Sequence, residues 1–201
     1  MRGKHLLAIF AMVMTTMVWG ITFEMVQEAL KDAPPFIFAA LRFGIGCILG
    51  ICYYIFILKK NFHQITYLEF KGGIICGIVL CFGYSFQNFG LWENDFYLES
   101  TPSNSAFITS ISVLLVPIFL HLTNIQKLSY RIWSIIVLAV IGLFILLNPT
   151  KGIRGGDIVT FGCAISFAIH IILQDVYLRK GVDILKFFII QVFFVSLFSC
   201  I

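Results

Sequence analysis

Charged side chains are scarce in this sequence of 201 residues: Lys and Arg number 14, Asp and Glu number 10, and together they make up 12%. Soluble chains carry about 25% charged residues, and so few charges could not cover the surface of a soluble domain of this size. The shortage therefore excludes a soluble globular domain, and the apolar composition also excludes a disordered chain. The net charge of +4 is spread along the chain, so we expect no nucleic-acid partner.

Motifs for catalysis and cofactor binding are also missing. The stretch Gly152–Gly156 lacks the Lys-Ser/Thr pair of a phosphate-binding loop, so nothing supports ATP-driven pumping. No carboxylate pair or histidine cluster lies at the end of an apolar run, which argues against a membrane enzyme. Because there is neither a CxxC pair nor a Cys/His set, we expect no disulfide, metal or cofactor. The six cysteines lie inside apolar runs, at Cys47, Cys52, Cys76, Cys81, Cys163 and Cys200.

Apolar residues are abundant: they make up 60% of the chain, with 22 phenylalanines, and the mean hydropathy is +0.98. A membrane-spanning helix needs about 20 apolar residues, and none of the apolar runs alternates as a barrel strand would. The sequence therefore predicts an all-α polytopic membrane protein with about seven transmembrane helices. The candidates, of which the fifth and sixth should extend into their flanks, are Leu6–Phe23, Phe36–Leu58, Gly72–Leu91, Ser103–Leu122, Ile132–Leu147, Ile158–Leu173 and Phe187–Ile201.

The basic residues between these runs predict the orientation. One side of the membrane receives ten of them and the other only three, Lys31, Lys151 and Arg154. Since basic residues collect in cytoplasmic loops, we expect a multi-pass protein of the cell membrane with a cytoplasmic N-terminus. The first run is too long for a secretory signal and lacks a small-x-small cleavage site, so we interpret it as a retained helix. The ten are Arg2, Lys4, Lys59, Lys60, Lys71, Lys127, Arg131, Arg179, Lys180 and Lys186.

A weak internal repeat indicates how the helices are organised. Shifted by 149 positions, residues 9–43 align with residues 158–192, and Arg42 falls on Gln191. An odd number of runs separates the two copies, so the second copy would enter the membrane from the opposite face, as in transporters built from inverted repeats. We expect a first five-helix repeat over residues 1–149 and the start of a second over residues 155–201. We expect this second repeat to be truncated, because the last run ends without a polar flank.

Several short motifs together resemble the EamA-type branch of the drug/metabolite transporter superfamily. That resemblance implies ten helices in two inverted five-helix repeats with a central cavity. The sequence departs from the family in a longer, acidic link at Trp92–Thr101 and in the absence of helices eight to ten. The motifs are Trp19–Phe23, Arg42-Phe43, Gln87–Leu91, Ser103–Thr109, Val116-Pro117, Gly142 with Leu146-Leu147, Gly156-Asp157, Ala164, Phe167, Ala168 and His170.

Arg42 is the one full charge well inside an apolar run, about 9 Å below the helix start at 1.5 Å per residue. A lone charge at this depth needs a partner or water. Arg42 could contact an anionic substrate or form a gating ion pair with Glu24. The alternative is an arginine that extends to the lipid headgroups.

Other polar residues within the runs are candidates to line a cavity. Tyr84, Gln87 and Asn88 share one helical face, but they could instead form hydrogen bonds between helices. Trp19 could line the cavity or belong to an interfacial aromatic belt. The resemblance adds Thr22 and Asn104 as cavity candidates, because both lie within its motifs.

Two further residues allow two interpretations each, and two glycine pairs mark helix contacts. His170 could relay protons near neutral pH or donate a structural hydrogen bond. Pro117 could act as a hinge or make a fixed kink. The pairs Gly46–Gly50 and Gly73–Gly77 predict close helix contacts.

These features predict a secondary transporter that moves a small polar metabolite by alternating access between inverted repeats. Amino acids and their derivatives are the first class to test, by family analogy. The alternative is a non-transporting degenerate fragment or a membrane scaffold protein. The expected partners are the metabolite and the lipid bilayer; the sequence leaves the oligomeric state open.

Overall fold

The computed structural model describes residues 2–59, 62, 64–125, 127, 129–147 and 153–200. Regular structure in these ranges is entirely helical. Lys60, Lys151, Gly152, Ile201 and the predicted domain boundary at residue 149 lie outside them. The helices are α1 (Arg2–Ala29), α2 (Pro35–Cys52, continued by a π-helical turn, Tyr53–Ile57), α3 (Tyr67–Leu91), α4 (Pro102–Ser110), α5 (Ser112–Leu122), α6 (Tyr130–Leu147), α7 (Gly155–Leu178) and α8 (Ile184–Phe198).

The prediction of an all-α polytopic membrane protein is confirmed. Five segments are long and apolar enough to cross a membrane, and two shorter apolar helices, Tyr130–Gly142 and Ile184–Phe198, accompany them. Each predicted run overlaps one of these segments; the fourth is divided between α4 and α5, and the seventh extends past the end of α8 at Phe198. The sixth run extends into its flanks as expected, since α7 has 24 residues. The five segments are His5–Ala29, Pro35–Ile57, Tyr67–Leu91, Pro102–Leu122 and Gly155–Leu178.

Side-chain caps begin several of the helices. Thr66 Oγ1 accepts a hydrogen bond from Glu69 N at 3.2 Å, and Glu69 Oε2 accepts one from Thr66 N at 2.7 Å, which starts α3. Glu69 is buried, and its Oε1 also accepts from Asp183 N at 3.1 Å. Asp183 in turn caps α8. The residues that start α3 therefore also hold the loop between α7 and α8 in place.

Glycines let α3 serve as the central helix. Gly72, near the start of α3, faces Tyr177, and Gly90, near its end, faces Thr160. Helix α7 therefore runs antiparallel to α3. A Cβ atom on either glycine would overlap the facing residue. Because glycine has no side chain, the axes of α3 and α7 come close together, as helix axes do at small residues in membrane bundles.

Helix α8 packs between α2 and α3 against two glycine pairs. Gly73 faces Ile190 and Gly77 faces Phe194 on one side, while Gly46 faces Val192 and Gly50 faces Ile189 on the other. The close helix contacts predicted from these pairs are thus confirmed.

We predict that Gly73→Ala lowers the melting temperature of the detergent-purified protein by several degrees. Its new Cβ would lie 2.8 Å from Ile190 Cβ, an atom too near the backbone to move aside, and overpacking of this kind costs about 1–3 kcal/mol. Gly46→Ala is the matched control, because its Cβ would lie 3.7 Å from Val192 Cγ1, an ordinary contact. Equal melting temperatures for the two variants would contradict the packing described above.

The fourth span is interrupted at Ile111, between α4 and α5, and α5 continues through Pro117. The outward faces of α1 and α6 expose long apolar side chains, among them Met12, Ile21, Leu138 and Ile145. Such faces are typical of helices that contact lipid.

Candidate functional site

A cavity of about 370 Å³ lies among the helices from both ends of the chain. It has the size of a small-molecule site. Its wall comes from α1, α2, α3 and α5 on one side and from α7 and α8 on the other. The lining residues are Trp19, Phe43, Leu80, Tyr84, Ser112, Val113, Phe167, His170, Ile171, Gln174, Phe188, Gln191 and Val192.

A hydrogen-bonded cluster of three side chains forms the polar wall. Gln191 on α8 is fully buried, at 0% exposure, and its Oε1 lies 2.8 Å from His170 Nε2 and 3.3 Å from Gln174 Nε2. With this oxygen as acceptor, His170 donates from Nε2. Gln191 Nε2 is buried and has no hydrogen-bond partner among the described residues. A buried amide with one free donor is costly unless something else satisfies it.

Aromatic rings form a second part of the wall, the aromatic wall. Trp19 lies 6.2 Å from Phe167, Phe167 lies 5.3 Å from Tyr84, and Tyr84 lies 4.5 Å from Phe43, measured between ring centroids. This series of rings joins α1, α7, α3 and α2 around the cavity. Aromatic walls with a few placed polar groups are typical of ligand pockets.

Arg42 lies directly behind this aromatic wall. Its guanidinium carbon is 5.5 Å from the Tyr84 ring centroid and 5.7 Å from that of Phe43. The expected ion pair with Glu24 is not formed in this conformation, since the ion pairs within the described ranges are Lys31–Glu28 and Arg179–Asp175. Glu24 is exposed. The aromatic faces, not a carboxylate, accommodate the Arg42 charge.

Two predicted cavity residues of α3 form hydrogen bonds between segments instead. Gln87 Nε2 lies 3.5 Å from Thr109 Oγ1 on α4, and Asn88 Nδ2 lies 3.4 Å from the carbonyl oxygen of Pro35. Both residues are buried. Of the face shared by Tyr84, Gln87 and Asn88, only Tyr84 lines the cavity. One turn of helix along α3 is enough to separate a cavity residue from residues that hold helices together.

Thr22 and Asn104 also lie outside the cavity wall. Thr22 Oγ1 donates to the carbonyl oxygen of Trp19 within its own helix at 2.6 Å. Asn104 Nδ2 lies 3.4 Å from both carboxylate oxygens of Asp157. Of the predicted cavity residues, the structure therefore brings Trp19, Tyr84 and His170 together.

Asp157 is the centre of a polar joint at the start of α7. Its buried carboxylate accepts from Ser100 Oγ at 2.6 Å and from Arg154 N at 3.1 Å, besides the contacts with Asn104. Ser100 N donates to the carbonyl oxygen of Gly90 at 2.7 Å, and Gln27 Nε2 donates to that of Ser100 at 3.3 Å. These bonds connect α1, α3, α4 and α7 at one end of the bundle.

Tyr97, in the loop between α3 and α4, adds a further hydrogen bond at this end of the bundle. Its hydroxyl donates to the carbonyl oxygen of Phe89 at 2.8 Å. Burial raises the pKa of Tyr97, so the hydroxyl keeps its proton and remains a donor.

Sequence reasoning missed Gln191 as a site residue. Two signals pointed to it: it is the one amide in the apolar helix α8, and the repeat aligns it with Arg42. A polar side chain at that depth faces a cavity or a partner, and here it faces both.

Comparison of the sequence with known proteins identifies its family. The sequence matches the EamA-like transporter family over residues 6–148. The chain belongs to the EamA-like transporter family. It is 34% identical, over 176 residues, to a protein of Archaeoglobus fulgidus described as an uncharacterized transporter. That alignment covers 88% of the chain and 51% of the relative, so the chain spans about half of the relative's length. No solved structure matches the chain significantly.

Membership of the EamA-like family agrees with the cavity and the apolar helices. The family match covers α1 to α6, while α7 and α8, which lie beyond it, supply the polar wall of the cavity. The chain is thus a multi-pass membrane protein of a transporter family. This points to a transporter and away from an enzyme.

Proposed function

We propose that this chain forms the substrate-binding part of a secondary transporter that carries a small polar metabolite across the cell membrane. The observation that carries the proposal is the cavity between the two chain segments. Trp19 and Tyr84 come from the first predicted repeat, and His170 and Gln191 come from the second. Inverted-repeat transporters bind substrate at such a boundary, near the midplane.

The direction of the helices supports alternating access as the mechanism. The C-terminal end of α1 lies beside the loop that precedes α4, through Gln27 and Ser100, and the N-terminal end of α7 lies at the same loop, through Asp157. Helices α1 and α7 therefore run in opposite directions, as the inverted repeat requires. Rocking of one segment against the other would open the cavity to either side in turn.

Transport by reconstituted protein tests the proposal. Proteoliposomes are loaded or bathed with a panel of radiolabelled amino acids, their derivatives and small organic acids, and uptake and efflux are measured. We predict that Gln191→Leu lowers transport by about tenfold or more, since about 1.4 kcal/mol of lost binding in the rate-limiting state gives that factor.

Gln64→Leu is the control, because the Gln64 side chain is exposed and lies outside the cavity. Melting temperatures of both variants establish that they fold. A wild-type protein that folds but moves no member of the panel would favour the scaffold or degenerate alternative. Normal transport by Gln191→Leu would overturn the assignment of the cavity as the site.

A further inference from the structure

The described part of the cavity wall is free of acidic groups. Among its described lining residues none is Asp or Glu, and the titratable ones are Tyr84 and His170. The charged group beside the wall is Arg42, which lies over the rings of Tyr84 and Phe43 and makes no ion pair within the described ranges. As far as the described residues go, the electrostatic environment is therefore positive and has no counter-charge.

This arrangement disfavours a cationic substrate. Aromatic faces attract cations, but Arg42 already occupies the faces of Phe43 and Tyr84. A second cation in the cavity would meet a like charge and would find no carboxylate to neutralise it. Burial of an unpaired charge costs several kcal/mol, so selection against cations should be strong.

The polar wall offers donors to a negatively charged group. Gln191 Nε2 is fully buried and unpartnered among the described residues, although its Oε1 is engaged by His170 and Gln174. A carboxylate is the acceptor that such a donor satisfies most strongly, because charge-assisted hydrogen bonds are about twice as strong as neutral ones. The remaining wall is aromatic and aliphatic, which suits an apolar body.

We infer that the cavity binds amphipathic monocarboxylates, with the carboxylate on the Gln191 amide and the apolar body against Trp19 and Phe167. The inference rests on the proposed function for the role of the cavity and narrows its substrate class. It assigns Arg42 as the residue that selects for negative charge, acting across the aromatic wall.

Three probes with the same phenyl body test the inference by binding: 3-phenylpropanoate, 3-phenylpropanamide and 3-phenylpropylamine. The carboxylate and the amide have matching planar end groups and differ in charge, whereas the amine carries a positive charge on a group without a carbonyl oxygen. Each is titrated into the detergent-purified full chain by calorimetry. The carboxylate should bind about tenfold more tightly than the amide, and the amine should not bind measurably.

Variants separate the charge effect from a loss of structure. Arg42→Gln should bring the ratio of carboxylate to amide affinity close to one and leave amide binding unchanged, whereas Arg42→Lys should preserve the preference. Gln191→Leu should weaken both probes. Arg179→Gln is the control, since Arg179 is exposed and pairs with Asp175 away from the cavity.

The outcomes distinguish this inference from the proposed function. Tighter binding of the amine, equal binding of carboxylate and amide to the wild type, or no binding of any probe would overturn the inference. A carboxylate preference that persists in Arg42→Gln would overturn the role of Arg42. Binding with the expected preference but no transport of any carboxylate in vesicles would leave the inference standing and contradict the proposed function.

Discussion

Replacing Gly156 by alanine is expected to leave little folded protein. An added Cβ would overlap the backbone of Ser100 and Gly90 and lie 2.8 Å from the carbonyl carbon of Glu99. Backbone atoms cannot rotate away as a side chain does. These same atoms hold the joint, since Ser100 N donates to the Gly90 carbonyl and Gly156 N donates to that of Leu98 at 3.0 Å.

The expected cost of this change is at or above about 3 kcal/mol, the upper end of the range for overpacked cores. Fluorescence-detected size-exclusion chromatography should show loss of the monodisperse peak, and any protein recovered should melt well below the wild type.

A graded set of alanine variants makes this prediction specific. Gly155→Ala would overlap Cβ of Tyr97 alone, on the loop between α3 and α4, and Gly20→Ala would meet nothing within 4 Å. We expect stability in the order Gly20→Ala, Gly155→Ala, Gly156→Ala, from highest to lowest. If Gly156→Ala melted within about 2 °C of the wild type, the close backbone contact described here would be wrong.

Asp157→Ala is expected to give the second largest loss of stability. The substitution removes the acceptor for Ser100 Oγ and Arg154 N at the start of α7. A buried donor left without an acceptor costs about 1–3 kcal/mol. Because two donors lose their partner, one of them the Arg154 N–H that the Asp157 side chain caps, we expect a loss of about 3 kcal/mol. Thermal unfolding in detergent measures it.

Two comparisons check the cause of this loss. Asp157→Asn keeps one oxygen acceptor, so it should destabilise less than Asp157→Ala. Asp95→Ala changes an exposed aspartate in the same loop region and should leave the melting temperature unchanged. A double-mutant cycle with Ser100→Ala should show coupling between the two sites. Additive effects would contradict a direct Ser100–Asp157 hydrogen bond.

The candidate site could be predicted in part. Trp19, Tyr84 and His170 line the cavity, and the sequence selected them because polar or amphipathic side chains within apolar runs must face a protein interior. The same reasoning also selected Gln87, Asn88 and Asn104, which bind other helices or Asp157. Polarity inside a span indicates that a side chain faces other protein groups. It does not distinguish a cavity from a helix contact.

The sequence alone determined that this protein is helical, crosses the membrane several times and belongs with the EamA-like transporters. Composition and run length decide the first two properties, because lipid admits only segments whose backbone groups bond internally. The short motifs carried the resemblance to the family. The glycine pairs also predicted close contacts, although not which helices would meet.

Only the tertiary structure decided which residues meet across the chain. It seats α8 between the glycine faces of α2 and α3, and it thereby places Gln191 in the cavity beside His170. It also joins Gly90, Ser100 and Gly156. These contacts depend on the rotation of each helix about its axis, and packing against neighbours sets that rotation. A scarcity of charge identifies the membrane, but packing decides where the few polar groups act.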